Sequence, residues 1–239
     1  MDKPTLSFPE GPWKELLLQA YKLMDGIKAG GTPIPKWSMG GGTVLMFHYQ
    51  HRRSKDIDIF IPGPQFLGYV NPGLGGPAED ITTEYSESAE YVKLFLPEGE
   101  IDFVASSTLT KNPFDAHEVL GRRILLETPI EIMAKKLWHR GARATARDLL
   151  DLAMVIEHHY SEILDHHEIF SKNIEVFTKQ CESRKSIMQP VFNEIEKINF
   201  NLNFNECLER AIHLKKDLLN KHHKPGSGND GQITPLYYG

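Results

Sequence analysis

The chain holds only two cysteines, Cys181 and Cys207, among its 239 residues, and they follow no metal-ligand spacing. A reducing compartment, the cytoplasm, is the expectation for such a sequence. No window of 18 or more apolar residues occurs, so no membrane span is expected. The opening Met1-Asp2-Lys3-Pro4-Thr5 lacks a basic start followed by an apolar run, so no signal peptide is expected either. There is no His-Glu-x-x-His spacing and no Cys/His finger. The histidine doublets at 158–159, 166–167 and 222–223 therefore read as solvent-facing helix residues. No internal repeat is found. Positive charge is in deficit overall, with a net charge of −5, which argues against broad non-specific nucleic-acid binding. The length fits one large domain or two small ones, with ample material for a core.

What is present is concentrated at residues 39–61. Three consecutive glycines, Gly40 to Gly42, open a short helical run through Tyr49, and Asp56-Ile57-Asp58-Ile59-Phe60-Ile61 follows as a strand-like segment. Side chains alternate along a strand, so Asp56 and Asp58 share one face while Ile57, Ile59 and Ile61 turn to the other, into a core. Two close carboxylates repel, which a divalent cation relieves; Mg2+ takes oxygen ligands and binds through one or two carboxylates plus substrate phosphates. Glycines without Cβ atoms let a backbone approach a ligand closely, and N–H groups at a helix start make an anion site.

This combination resembles the nucleotidyltransferase superfamily motif, a glycine pair followed by Asp-x-Asp. The finer pattern, Gly41-Gly42-Thr43-x-Leu45 with Arg52-x-Ser54-x-Asp56-Ile57-Asp58, resembles the AbiEii/AbiGii-type nucleotidyltransferase toxins. The resemblance covers roughly residues 36–160. It implies a third carboxylate on a neighbouring strand, and Asp102 in Glu100-Ile101-Asp102-Phe103-Val104 fits that place. It also implies a lysine on a later helix, which here corresponds to Lys136 in Ala-Lys-Lys-Leu, with Lys135 as the adjacent competitor. An Arg-Asp-x-x-Asp element corresponds to Arg147-Asp148-Leu149-Leu150-Asp151. Asp148 would accept a proton or hold Lys136, unless it serves only as a helix cap. Asp151 reads as a partner of Arg147. His51, in the loop before the acids, is a further possible substrate contact.

The fold class expected is α+β: a nucleotidyltransferase-like mixed sheet with flanking helices at 1–127, a helical C-terminal domain at 128–223 and a flexible tail at 224–239. Trp13–Ile27 opens as an amphipathic helix. Strands are expected at Lys36–Met39, Lys55–Ile61, Ile81–Tyr85, Tyr91–Leu96, Glu100–Ala105 and Val119–Leu126, with a Pro97-Glu98-Gly99 turn making a hairpin. Gly63–Ala78, rich in Gly and Pro, reads as a mobile surface loop. Thr128-Pro129-Ile130-Glu131 has the form of a capping box, with Glu131 and Lys135 as a surface ion pair on the helix it opens. Thr145 to Asp148 opens the next helix. Further helices are expected around Ile163–Thr178, Lys185–Ile198 and Asn205–Leu219. Residues 121–147 carry Arg122, Arg123, Lys135, Lys136, Arg140, Arg143 and Arg147 against Glu127 and Glu131, a local basic excess.

Together these imply a Mg2+-dependent nucleotidyltransferase that moves a nucleoside monophosphate from an NTP to an acceptor hydroxyl. The resemblance points to RNA, such as a tRNA 3′ end, or a protein as acceptor, and to an antitoxin partner in a type IV toxin–antitoxin system. Asp56, Asp58 and Asp102 would hold two metal ions. Gly41, Gly42 and Thr43 would hold the triphosphate, with Lys136 on its outer phosphates. Arg52 and Ser54 would support the loop or touch phosphate. An antibiotic-modifying nucleotidyltransferase and a non-catalytic nucleotide-binding module are the rival readings.

Overall fold

The computed structural model describes residues 6–222. The tail expected at 224–239 lies outside the described residues.

Helix α1 (Trp13–Ala29) opens the fold and buries Trp13, Leu16, Leu17 and Ala20 along one stripe. Strand β1 (Ser38–Gly40) then runs with no intervening loop into α2 (Gly41–Tyr49). The remaining strands are β2 (Ile57–Ile61), β3 (Tyr85–Glu87), β4 (Tyr91–Leu96), β5 (Gly99–Ala105), β6 (Phe114–Val119) and β7 (Arg122–Glu127). They form one seven-stranded mixed sheet in the order β3-β4-β5-β2-β1-β7-β6. The β2–β5 and β1–β7 pairs are parallel, and every other pair is antiparallel.

Alternation decides what each face of the sheet carries. Ile57, Ile59 and Ile61 of β2 are buried, as are Ile101 and Phe103 of β5 and Val92 and Leu94 of β4, and α1 packs over β2 and β5. The opposite face presents Asp58, Phe60 and Asp102. Helix α3 (Pro129–Arg140) lies over that face, with Lys135 Nζ 4.0 Å above the Phe60 ring centre. Four more helices follow: α4 (Ala146–Asp165), α5 (His167–Ser183), α6 (Lys185–Asn193) and α7 (Phe204–His222). Buried side chains from Trp13 to Leu218 make one continuous core. The α+β architecture agrees with expectation, and the change from sheet to helices falls at Thr128. No helix among the described residues is long and apolar enough to cross a membrane.

Four local expectations need correction. Gly63–Ala78 is not a loose loop: it coils into three 3₁₀ turns that bury Phe66, Leu67, Val70 and Ala78, because its apolar residues are spaced to reach the core between the glycines and prolines. Ile81 lies in a turn, and the strand there begins only at Tyr85. Val119–Leu126 is not one strand. It breaks at Leu120-Gly121, where φ is 50° and 77°, and the chain doubles back as the β6–β7 hairpin. The helix expected over Lys185–Ile198 stops at Asn193, because the next residues leave to pair with another backbone. Arg53 N–H bonds Glu196 O, Ile198 N–H bonds His51 O and Asn199 N–H bonds Gln50 O, at 2.9 to 3.1 Å.

The Leu120-Gly121 turn generates a stability test. Positive φ at both central residues is the geometry of a two-residue type I′ hairpin, which favours Asn-Gly and strains a leucine. Leu120 is a third exposed, so little packing is lost on replacing it. Leu120→Asn should stabilise the protein by roughly 0.5–1 kcal/mol, raising its melting temperature by about 1–4 °C. An unchanged or lowered melt by differential scanning calorimetry would refute the strain.

Candidate active site

The glycine run is shaped by what crowds it. A Cβ on Gly41 would stand 1.8 Å from Asp58 Oδ2, and φ there is +69°, so no other residue fits without moving the carboxylate. A Cβ on Gly42 would meet Arg52 Nη2 at 2.4 Å, and one on Gly40 would meet Glu127 Oε2 at 2.4 Å. The three glycines thus let two acids and a guanidinium close around the start of α2, whose N-cap carries no side-chain hydrogen bond.

Sheet register sets the acids. Gly40 of β1 pairs with Asp58 of β2, Asp58 with Asp102 of β5, and Asp102 with Lys93 of β4. One row across four strands therefore carries a glycine, two carboxylates and an ammonium. Burial pushes the Asp58 carboxyl above its usual range and Asp56 adds to the shift, while Arg140, Lys136 and Lys93 counter it. Burial and then the Asp58 charge push Asp102 up to about 6, against the pull of Lys93. Lys93 Nζ lies 3.0 Å from Asp102 Oδ2 and also pairs with Glu100, while Asp102 Oδ1 is buried without a hydrogen-bond partner. Asp56 precedes β2, and its Oδ1 accepts the Glu100 N–H at 3.0 Å.

Among the described residues no group of three or more His, Cys, Asp or Glu is gathered closely enough to hold a metal ion. The donor chemistry nonetheless suits a hard divalent cation. Asp58 and Asp102 are registered neighbours, the Asp58 charge raises the Asp102 pKa, and Asp102 presents a buried oxygen with nothing to bond.

The other expected residues sort into two kinds. Thr43 is fully buried, and its hydroxyl bonds the Asp56 carbonyl and Ser54 Oγ (2.9 Å), so it braces the acidic loop from inside. Arg52 is also buried. Its Nε and Nη2 donate to Asp151 Oδ1 and Oδ2 at 2.7 and 2.8 Å, a bidentate pair that supports the loop. Lys136 Nζ donates to Asp148 Oδ1 at 2.7 Å and Asp151 Oδ2 at 2.8 Å. Burial lowers its pKa, but these two acids more than offset that and keep it charged. Asp148 closes a full capping box with Thr145. Although burial raises its pKa, Lys136 and Arg140 hold it below the usual carboxylate range, which makes it a poor proton acceptor and a good anchor for Lys136.

Asp151 pairs with Arg52, Lys136 and His51, not with Arg147, which is exposed. His51 is wholly buried, its Nε2 lies 2.7 Å from Asp151, and burial keeps it neutral. The Glu131–Lys135 pair is not on the surface. Lys135 is buried and donates to Glu127 Oε1 at 2.6 Å, with Glu131 at 3.6 Å. Glu131 makes no capping box; it accepts the Leu109 and Thr110 N–H groups and the Thr110 hydroxyl. Sequence reasoning missed Lys93 and Arg140 beside the acids. A signal existed for Lys93, since a two-residue Pro97-Glu98 turn pairs Leu96 with Gly99 and so Lys93 with Asp102.

The Asp102 shift has a stability consequence. A folded pKa raised above the unfolded value of about 3.9 means the native state binds the extra proton, so stability falls as pH rises from about 4 to about 6 and stays reduced above. In metal-free protein, Asp102→Asn should therefore melt higher than the parent at pH 8, by on the order of 1–2 kcal/mol, with the gap closing towards pH 4. Paired thermal melts across that range check it; a constant gap would contradict the assignment.

Residues 31–217 match the family model described as nucleotidyl transferase AbiEii toxin, type IV TA system. Comparison with curated proteins finds no match. Among solved structures, MenT4, a nucleotidyltransferase toxin of Mycobacterium tuberculosis H37Rv, is similar at 13% identity over 88% of this chain and 86% of that one, with a TM-score of 0.46. JHP933 from Helicobacter pylori is similar at 18% identity over 87% and 92%, with a TM-score of 0.40. The glycine turn, the acidic row, Lys136 and the Asp148–Asp151 element all fall within the matched span, and the chain belongs to the AbiEii nucleotidyltransferase toxin family.

Proposed function

We propose that this chain is the toxin of a type IV toxin–antitoxin pair and transfers a nucleoside monophosphate from an NTP to an acceptor hydroxyl in a Mg2+-dependent reaction. The observation that carries the reading is the registered Asp58–Asp102 pair beside Gly41, with Lys136 and Arg140 as the facing positive charges. In the transfer, an acceptor oxygen attacks the α-phosphorus and its bond forms as the bond to the leaving pyrophosphate breaks. The acceptor proton passes to solvent.

Mg2+ supplies charge neutralisation of the triphosphate and acidification of the acceptor hydroxyl when bound. Asp58 and Asp102 would hold it, while Asp56 is engaged by the Glu100 N–H. The N–H groups at the start of α2, left open by Gly41 and Gly42, would cradle phosphate oxygens. Thr43, Ser54 and Arg52 would act behind this surface, by holding the Asp56 loop in place. Lys136 would turn its ammonium from Asp148 towards the β- or γ-phosphate, staying charged throughout. Positioning and charge neutralisation are what such in-line transfers require of a protein.

RNA is favoured as acceptor over a small antibiotic, because Arg140, Arg143 and Arg147 are all exposed where α3 hands over to α4, and the Arg140 charge acts on Asp58 and Asp148. Exposed guanidinium groups suit a polyanion and repel a cationic aminoglycoside. The direct test is incubation with each α-labelled NTP, Mg2+ and total RNA or cell extract. Label should enter an RNA band; label confined to a small molecule would favour the antibiotic-modifying reading, and no label with any NTP would overturn the proposal.

Two predictions follow from the residue roles. Asp58→Asn should lower transfer at least about 100-fold while leaving the melting temperature equal or higher, because a ligand is lost and a repulsion relieved. Near-parent labelling by this variant would remove Asp58 from the site. Lys136→Ala should lower transfer, or raise the KM for NTP, per folded molecule. Lys135→Ala should instead lower stability by roughly 3–5 kcal/mol, because it leaves Glu127 buried with the Ser38 hydroxyl but no counter-charge. Kinetics and melts on the two variants would reverse these roles if the transfer loss fell on Lys135.

A further inference from the structure

The row Gly40–Asp58–Asp102–Lys93 ends in a positive charge that the proposed transfer does not use. Lys93 is fixed by register, directly across the β4–β5 hairpin from Asp102, and its ammonium is half-enclosed by Glu100 and Asp102. Of the two Asp102 oxygens it engages Oδ2, at 3.0 Å. The other oxygen, Oδ1, is buried, has no partner and belongs to the same carboxylate that stands beside Asp58.

We infer that Lys93 is a built-in cation that occupies the outer side of Asp102 and limits the site to one protein-bound divalent ion, shared between Asp58 and Asp102 Oδ1. This rests on the Mg2+-dependent reading above. The charge count favours it. Asp58, Asp102 and Glu100 carry three formal negative charges and Lys93 one positive, so the four groups sum to −2, which one divalent ion neutralises. A second divalent ion on Asp102 would have to displace the ammonium or sit against it, and like charges at contact distance are strongly disfavoured. Lys93 is thereby a positioning residue. It orients the Asp102 carboxylate and leaves a single free oxygen for metal.

The assignment differs from that of a surface ion pair in what its loss changes. Removing an ordinary cross-strand pair leaves ligand binding untouched. Removing Lys93 frees Asp102 Oδ2, so the number of ions bound should rise.

The experiment is a Mn2+ titration of the full chain, followed by electron paramagnetic resonance of free Mn2+, with each of the four α,β-methylene nucleoside triphosphates in turn and with nucleotide-only blanks subtracted. The parent should bind one Mn2+ in the ternary complex beyond the blank, and Lys93→Ala should bind two. Lys93→Arg should remain at one, since it keeps the charge. Lys93→Gln, neutral and close in shape, replaces Lys93→Ala if the latter does not fold by circular dichroism, and should also bind two. Two ions on the parent, or one on both neutral variants, would overturn the inference. Labelled transfer by the parent in Mn2+ is measured alongside. Transfer with two ions bound sinks the Lys93 role and leaves the nucleotidyltransfer reading standing, whereas no bound ion and no transfer sinks both.

Discussion

The carboxylate of Asp151 is the interaction on which the site's assembly depends. It is wholly buried, yet it receives Arg52 through two nitrogens, Lys136 through its ammonium and His51 through Nε2. Burial alone would drive such an acid towards its neutral form; Arg52 and Lys136 instead hold its pKa far below the usual range. A buried charge is tolerable only when its partners are held in good geometry. The partners come from two parts of the site: Arg52 and His51 from the loop before the acids, Lys136 from the helix over the sheet. One carboxylate on α4 therefore fixes the loop and the lysine relative to each other. Loss of Arg52 or Lys136 would leave the Asp151 charge less compensated in the core.

Sheet register supplies the second constraint. Parallel pairing of β2 with β5 sets Asp58 beside Asp102, and antiparallel pairing of β1 with β2 sets Gly40 beside Asp58. Neither acid can step away from the other without shifting a strand by two residues, since a one-residue slip would turn that strand's apolar row out of the core. The hydrophobic face covered by α1 thus enforces a repulsion on the opposite face. Natural sites commonly store unfavourable electrostatics of this sort, and a ligand of opposite charge recovers it.

Much of this was legible along the chain because it is local or periodic. The glycine run, the i, i+2 acids and the Thr128 and Thr145 helix starts rest on spacing within a few residues. Asp102 was legible from a second acidic-apolar strand together with the family resemblance. Strand β6 was not, because Asp-Ala-His-Glu has no apolar alternation and the strand lies at the sheet edge, where none is required. The Gly63–Ala78 turns were hidden by their glycine and proline content. Arg52 with Asp151, 99 residues apart, and Lys135 with Glu127 are products of packing, and no short-range rule reaches them. The same distance explains why Asp151 reads along the sequence as a mate for the nearby Arg147.

The pairing of residues 196–199 with residues 50–53 bears on when the enzyme first exists. The acidic loop is made early by the ribosome, whereas the backbone that straps it, and the Asp148 and Asp151 carboxylates that anchor Lys136 and Arg52, arrive much later. Domains fold as their chain emerges, amino terminus first. Here the emerging sheet lacks both anchors until Asp151 has been synthesised, and the strap until Asn199 has. A nascent or prematurely terminated chain carries the acids without the framework that orders them. This topology delays completion of the site until the backbone at residues 196–199 has been made.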